Sequence, residues 1–331
     1  SLVSFCAIRS KLLEAASHCS AVVRVSRPDS AFSMALTNFS LVVCAANALI
    51  FPLFVNHFGG RKRMLVASAL MWPMVHNWFV SMGMLDFALA VPLSCALLMM
   101  LDRYRHAPSL KGAASIVALG ALTWYAHTFP LMVVHLLLAL HVVQLRSMRE
   151  RAREFATLAL PLLPVTLLVM VSLYTHVTEP VGAMTGFTKL GKLIPPWELA
   201  YNLWAEWFWG FTWLSISSIV PAAVLLVCGF LGRNERPTFF SPLAVVTLAF
   251  LFVFSPYVAT NWFHVNSRFI PFIWIALMVR VPTALPKKLT AFLAVCALLY
   301  SAGMGVDFVR LDRDREHFVA GMAQVPEGSR L

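Results

Sequence analysis

Charged residues are scarce in this sequence, and the few that occur are unevenly divided between the two signs. Only 12% of the 331 residues are charged and 60% are hydrophobic, with 26 Lys and Arg against 15 Asp and Glu. Soluble domains typically contain about 25% charged residues. The composition therefore excludes an ordinary soluble domain and predicts an integral membrane protein.

Sequence motifs for common cofactors are absent as well. The sequence contains no CxxC pair and no His/Cys cluster with the spacing of a zinc or iron site. It contains neither GxGxxG nor a P-loop, so ATP is not expected as a ligand. His135 and His141 match no HExxH pattern and are interpreted as structural. We therefore expect no metal site built from this chain alone.

The basic residues alternate with the apolar segments in a regular pattern. Because Lys and Arg near span ends are retained on the cytoplasmic side, gaps rich in them predict cytoplasmic loops. The net charge of +11 then reflects orientation in a membrane and not nucleic-acid binding. The other gaps between spans contain only three basic residues, Lys189, Lys192 and Arg268. The five basic clusters are Arg61/Lys62/Arg63, Arg103/Arg105/Lys111, Arg146/Arg149/Arg151/Arg153, Arg233/Arg236 and Arg280/Lys287/Lys288.

The apolar segments predict an all-α polytopic integral membrane protein with about ten transmembrane helices, some of them short or re-entrant, since a span needs roughly 17–25 apolar residues. Helix breaks are expected at Ser81-Met82-Gly83 and around His127-Thr128-Phe129-Pro130, because Gly weakens a helix and Pro removes a backbone donor. A kinked single helix is the alternative at each place. The predicted spans are residues 31–55, 64–80, 86–101, 113–126, 129–145, 156–175, 210–231, 239–257, 268–283 and 290–306.

Three regions are expected along the chain. Residues 1–30 read as an outer amphipathic segment, residues 31–306 as the transmembrane helical domain and residues 307–331 as the start of an outer C-terminal segment. The sequence begins with Ser1 and shows no signal-peptide pattern. We therefore expect a fragment in which a preceding span and the first outer loop are missing and the C-terminal segment is truncated.

Polar residues at the predicted outer turns are the candidate functional residues, because ionisable groups at this depth are costly unless they line a wet cavity or find partners. His76, Asn77 and Asp86 surround the first re-entrant turn. The alternatives are that Asp86 caps a helix and that His76 is merely interfacial. At the second turn, His127 is a candidate general base, phosphate-binding cation or metal ligand, against the alternative of a buried structural histidine.

The two remaining outer gaps add aromatic residues and an arginine. Residues 176–209 predict an interfacial helix whose tryptophans anchor it to the membrane or, with its carboxylates, hold a sugar. Glu198 and Trp207 are the substrate-binding candidates there. In the last outer gap, His264 and Arg268 are the candidates, because a guanidinium suits bidentate phosphate recognition. Snorkelling of Arg268 to lipid headgroups is the competing interpretation. We expect His76, Asp86, His127 and Arg268 to converge on one outer cavity.

Four segments carry a family resemblance: HNWFVSMGMLDFALAVPLSCALLMMLDRYR, LTWYAHTFPLMVVHLLLALHVV, NSRFIPFIWIALM and VRLDRDREHFVAGMAQVPEGSRL. Together they resemble the bacterial multi-spanning membrane glycosyltransferases of the GT-C type, over most of residues 31–331. In that group an aromatic-rich turn, a His-bearing hairpin tip and an Arg-Phe pair at a late span recur. Here Thr128-Phe129 stand between the histidine and Pro130, where the group usually has Pro directly after His.

The resemblance implies an enzyme of the bacterial inner membrane and cell envelope that transfers a sugar from a polyprenyl-phosphate donor to an acceptor at the outer face. Membrane lipid and that donor would be its partners, without nucleic acid or ATP. A divalent metal, Mg²⁺ or Mn²⁺, would be expected if the missing first outer loop supplies carboxylates. His76, Asp86 and His127 are the catalytic candidates, and the two histidines would assist in removing the acceptor proton. Arg268 would stabilise the departing lipid phosphate.

A transporter or flippase for a lipid-linked or amphipathic substrate is the main alternative, and a structural membrane subunit is the third. Transport favours intramembrane charges that form a path across the bilayer. The predicted span centres contain almost none of these, which favours the enzyme.

The alternation of basic clusters predicts the side of the membrane on which each gap lies. A cysteine introduced by Ser147→Cys or Asn234→Cys should be shielded from an impermeant thiol reagent in intact cells, whereas one introduced by Thr188→Cys should react. The parent for these variants has Cys6 and Cys19 replaced by serine, because both are predicted to lie outside. Labelling of the Ser147→Cys variant from outside would reverse the predicted orientation.

Overall fold

The computed structural model describes residues 30–75, 77–81, 83–178, 194–195, 197–199, 213–232, 239–259 and 262–322. These residues are almost entirely helical, and their β-structure is limited to the antiparallel pair β1 (Val258–Ala259) and β2 (Trp262–Phe263). A 3-10 turn, Ser267–Phe269, follows β2. The helices are α1 (Ser30–Ser68), α2 (Trp72–Val75), α3 (Trp78–Ser81), α4 (Leu85–His106), α5 (Leu110–Ala126), α6 (Thr128–Val143), α7 (Met148–Thr178), α8 (Trp213–Leu231), α9 (Pro242–Phe254), α10 (Ile270–Met278) and α11 (Lys287–Met322).

Within the described residues, three helical segments are long and apolar enough to cross a membrane, by length and composition. They are Phe39–Ser68 in α1, the whole of α4 and Met148–Tyr174 in α7. Five further apolar helical segments of 10–17 residues lie in the described part of the chain. The all-helical class predicted from the sequence is therefore confirmed, and the apolar helices support membrane association. The number of ten spans stays a prediction.

The chain breaks its helices at both predicted places. Between α3 and α4 the backbone passes through Gly83 with φ +73, a conformation that glycine adopts without a steric cost. Between α5 and α6 the connection is His127 alone, in an extended conformation. A further break lies inside α1, where Gly60 has φ 80 and separates residues 30–59 from residues 61–68. The predicted second span, residues 64–80, is divided among the end of α1, α2 and α3.

The C-terminal end of α8 packs closely against the end of α10 at two glycines. A Cβ atom at Gly229 would lie 2.7 Å from the Leu277 side chain, and one at Gly232 would lie 1.7 Å from the carbonyl oxygen of Arg280. The Arg280 guanidinium donates hydrogen bonds to the carbonyl oxygens of Gly229 and Gly232, at 3.0 and 2.9 Å. It therefore satisfies carbonyl groups that the end of α8 leaves without an intrahelical partner.

Two compact units make up the chain, Ser40–Ala302 and a second unit of Ser1–Phe39 with Gly303–Leu331. The first unit contains the buried hydrophobic core, which extends from α1 to α11. In the second unit the described residues are 30–39 of α1 and 303–322 of α11, all helical. The region boundaries expected from the sequence, at residues 30 and 306, stay predictions.

Gly232→Ala should destabilise the protein by about 1–3 kcal/mol or more, because the added methyl group meets backbone atoms that no side-chain rotation can move. The measurement is thermal unfolding of the purified protein in detergent. Gly305→Ala is the matched control, because no atom lies within 4 Å of a Cβ at that helical position. The control should be neutral or stabilising by up to about 1 kcal/mol. Equal unfolding temperatures for the two variants would contradict the close approach of α8 and α10.

Candidate functional site

The N-terminal ends of α4, α6 and α10 meet around the side chain of Arg268. This guanidinium contacts the His127 ring Nε2, and its central carbon lies 5.3 Å from the ring centre of Phe87 and 5.9 Å from that of Phe129. Phe87 is in the first turn of α4, Phe129 in the first turn of α6, and Arg268 in the 3-10 turn that leads into α10. We call Asp86, Phe87, His127, Phe129 and Arg268 the Arg268 cluster.

Arg268 is buried although it is charged. Only 4% of the residue is exposed, and arginines are almost never buried to this extent without a partner. Its charge interacts favourably with the carboxylate of Asp86, and the two phenylalanine rings present their π-systems to the guanidinium. The cluster therefore holds a positive charge in a largely apolar environment, where its electrostatic effect on a bound anion is stronger than in water.

The ring of His127 is oriented by the backbone. Its Nδ1 accepts a hydrogen bond from the backbone N–H of Phe129 at 3.0 Å, which caps the N-terminus of α6. Because Nδ1 acts as the acceptor, the proton of the neutral imidazole belongs on Nε2, which faces Arg268. The Nε2–H group and the guanidinium are then both donors, so their contact is not a hydrogen bond, and an acceptor placed between them would satisfy both. This geometry suits the binding of an anion better than the general-base role considered from the sequence.

A metal-ligand role for His127 finds no support in the described residues, where no three His, Cys, Asp or Glu side chains are grouped as metal ligands.

Asp86 lies in the first turn of α4 and its side chain is exposed. A carboxylate there is favoured by the helix dipole, so the capping interpretation agrees with its position. It also interacts electrostatically with Arg268. The position of Asp86 is thus compatible with both interpretations made from the sequence, and its catalytic role stays a prediction.

A short irregular segment holds Arg268 in place. His264 has φ 55, a left-handed conformation that is uncommon for residues other than glycine. Its carbonyl oxygen accepts a hydrogen bond from the backbone N–H of Arg268 at 3.3 Å. Its ring packs against Trp78 and Tyr257 with both centre-to-centre distances at 4.6 Å, and its Nε2 lies 3.1 Å from the Tyr257 hydroxyl. His264 therefore positions the arginine.

The side chain of Asn77 forms hydrogen bonds to backbone groups. Its Oδ1 accepts hydrogen bonds from the backbone N–H groups of Phe79 and Val80, at 3.0 and 3.4 Å, and its Nδ2 donates to the carbonyl oxygen of Met74 at 3.1 Å. These bonds cap α3 and bridge it to α2, and the residue is 7% exposed. Asn77 therefore has a structural role, because its amide group bonds to three backbone groups, and its substrate-binding role stays a prediction.

Three further candidates lie apart from the cluster or outside the described residues. His76 and Trp207 lie outside the described residues. Glu198 is exposed in helical residues 197–199. No hydrogen bond or ion pair in the described part of the chain connects it to the Arg268 cluster. The neighbouring Trp197 is 73% exposed, which favours a membrane-surface position for this short segment.

The aromatic residues of the cluster could not be identified as site residues from polarity alone. Phe87 follows Asp86 directly, Phe129 follows His127 by two positions, and Phe269 follows Arg268 directly. The rings of Phe129 and Phe269 lie 5.0 Å apart, and those of Phe87 and His127 lie 5.4 Å apart. The sequence pattern that could have identified them is a phenylalanine within two positions of each polar residue of the cluster.

Comparison with protein-family models gives no match for this chain, and neither does comparison with curated proteins or with solved structures. The functional argument therefore depends on the geometry of the Arg268 cluster and on the motifs of the sequence.

The cap that His127 provides can be separated from its second ring nitrogen by mutation. His127→Asn should keep the stability of the protein, because Asn is a favoured N-cap whose oxygen accepts the same backbone hydrogen bond. His127→Ala should lower the free energy of unfolding by about 1 kcal/mol. Thermal unfolding in detergent measures both variants. Equal destabilisation by Asn and Ala would show that the capping bond does not contribute to stability.

Proposed function

We propose that this protein transfers a sugar from a polyprenyl-phosphate donor to an acceptor at the outer face of the bacterial inner membrane. The observation that carries the proposal is the buried guanidinium of Arg268, held beside His127 where three helix N-termini meet. The resemblance of the sequence to GT-C type glycosyltransferases supports the same reaction. The ten-span count, the GT-C architecture and the outward orientation of the site belong to this proposal.

Burial of an arginine is informative because it is costly. Removing a charged group from water requires partners that compensate for lost hydration. In the described residues Arg268 interacts with an imidazole, two phenylalanine rings and the more distant Asp86. The two rings and the carboxylate stabilise a cation at this position. A phosphate group is the complementary ligand for such a cation.

The helix termini strengthen this preference for an anion. Each helix N-terminus carries a partial positive charge and backbone N–H groups without intrahelical partners. At α4 the N-cap residue, Met84, forms no side-chain cap hydrogen bond. Together with Arg268 and the Nε2–H of His127, this terminus favours a phosphate, as helix N-termini do in many phosphate-binding proteins.

The proposed reaction is a displacement at the anomeric carbon of the sugar. The hydroxyl oxygen of the acceptor forms a bond to that carbon while the bond from the carbon to the phosphate oxygen breaks. The hydroxyl proton passes to the carboxylate of Asp86, and the electron pair of the broken bond leaves with the polyprenyl phosphate. Arg268 and His127 stabilise the negative charge that develops on this phosphate.

Arg268→Ala should reduce kcat/KM for sugar transfer by about 2 kcal/mol or more in transition-state stabilisation, because a charge-assisted contact to the developing phosphate charge is lost. Arg268→Lys should recover only part of the activity, because a point charge does not reproduce the planar fork of a guanidinium. The assay measures transfer from a radiolabelled polyprenyl-phosphate sugar in membranes from cells that produce the protein.

Arg103→Ala is the matched control for this experiment, because Arg103 is exposed near the opposite end of α4 and its loss should leave transfer unchanged. Equal amounts of protein in the membrane fraction are required for all variants. Wild-type transfer by the Arg268→Ala variant would show that Arg268 only anchors its turn. Translocation of a labelled lipid across proteoliposomes without sugar transfer would instead support the flippase.

A further inference from the structure

A second polar cluster lies at the other ends of the helices that form the Arg268 cluster. Asp102 and Arg105 are near the C-terminal end of α4, and His141 is near the C-terminal end of α6. Asp102 follows Asp86 by sixteen residues, which corresponds to about 24 Å along a helix. His57 of α1 and Glu154 of α7 complete the cluster. We call these five residues the Asp102–Arg105 network.

Arg105 is the centre of this network. Its Nη2 lies 2.8 Å and its Nε 2.9 Å from Oδ1 of Asp102, and its Nη1 lies 3.3 Å from Oε1 of Glu154. The other oxygen of Asp102 is 2.8 Å from Nε2 of His57, and the same Oε1 of Glu154 is 3.2 Å from Nε2 of His141. One arginine and two carboxylates therefore tie together α1, α4, α6 and α7.

The network is shielded from water. Side-chain exposures range from 5% for His141 to 22% for Glu154. Phe239 lies against the network. Its ring centre is 5.5 Å from the guanidinium carbon of Arg105 and 5.1 Å from the ring centre of His141. Because charged pairs at this depth are screened weakly by solvent, separating them leaves charges that lack compensation.

We propose that the Asp102–Arg105 network is a clasp that keeps one end of the helix bundle closed. The four helices are joined there by side chains, through the ion pair of Arg105 with Glu154 and the contacts of Asp102 with His57 and of Glu154 with His141. These contacts oppose separation of the helices, and entry of water, at this end. This role does not require sugar transfer and is tested without a substrate.

Cys95, near the middle of α4, is a native reporter for separation of α4 from its neighbours. It is 1% exposed in α4. It precedes Asp102 by seven residues, which places the two side chains on the same face of the helix about two turns apart. Cys228 in α8 is partly exposed and lies outside the network, so it serves as an internal reference. If α4 separates from its neighbours at the clasp, Cys95 becomes accessible to a small thiol reagent.

The experiment compares alkylation of Cys95 by N-ethylmaleimide in the purified protein and its variants, well below the unfolding temperature and read out by mass spectrometry. Arg105→Gln should raise the Cys95 rate at least about tenfold, which corresponds to about 1.4 kcal/mol in the opening equilibrium. Arg105→Lys should restore part of the protection, because it keeps the charge. The Cys228 rate should be unchanged in every variant.

Arg103→Gln is the matched control, because it removes the same charge from an exposed position on the same helix. If Cys95 is as protected in Arg105→Gln as in this control, or equally reactive in both, the clasp is overturned. Should Arg105→Gln fail to fold, Glu154→Gln removes one carboxylate from the network and must give the same direction of change. Loss of sugar transfer in Arg268→Ala with Cys95 still protected separates the two proposals.

Discussion

Within a membrane, every backbone N–H and C=O group must find a partner in the protein, because there is no water to bind. This requirement is most acute where a helix ends, since the terminal groups have no intrahelical partner. Asn77 meets it at α3, His127 at α6 and Arg280 at the end of α8. At these three helix ends a polar side chain supplies the partner that the helix itself lacks.

The same requirement explains why chemically capable groups collect at the turns. His127 uses one ring nitrogen to cap α6 and directs the other toward Arg268. His264 adopts a left-handed conformation and thereby sets the direction of the following turn. A side chain that is first needed to complete the backbone can take on a second role only if it has a spare polar atom. Histidine has one, whereas the amide of Asn77 bonds to backbone on both sides.

Local sequence was sufficient for the breaks but not for the contacts between distant residues. Gly83 and the His127–Pro130 segment predicted two turns, because the backbone preferences of glycine and proline depend only on the local sequence. The contact of His127 with Arg268 joins residues 141 positions apart and depends on how the helices pack. The charges near the C-terminal end of α4 were interpreted as orientation signals, since the rule for basic residues counts charges without regard to partners. In the structure Arg105 is also half-buried between carboxylates from two helices, which a count of charges does not predict.

The single-residue connection between α5 and α6 constrains how this protein can vary over evolutionary time. An inserted residue at His127 would displace the cap, rotate α6 and move Phe129 away from Phe269, so changes in chain length are unfavourable at this turn. The same holds at Gly60, where one residue separates the two helical parts of α1. Natural differences in length among related chains, and sites for inserting tags, should therefore be sought in longer connections such as that from α10 to α11, at residues 282–286.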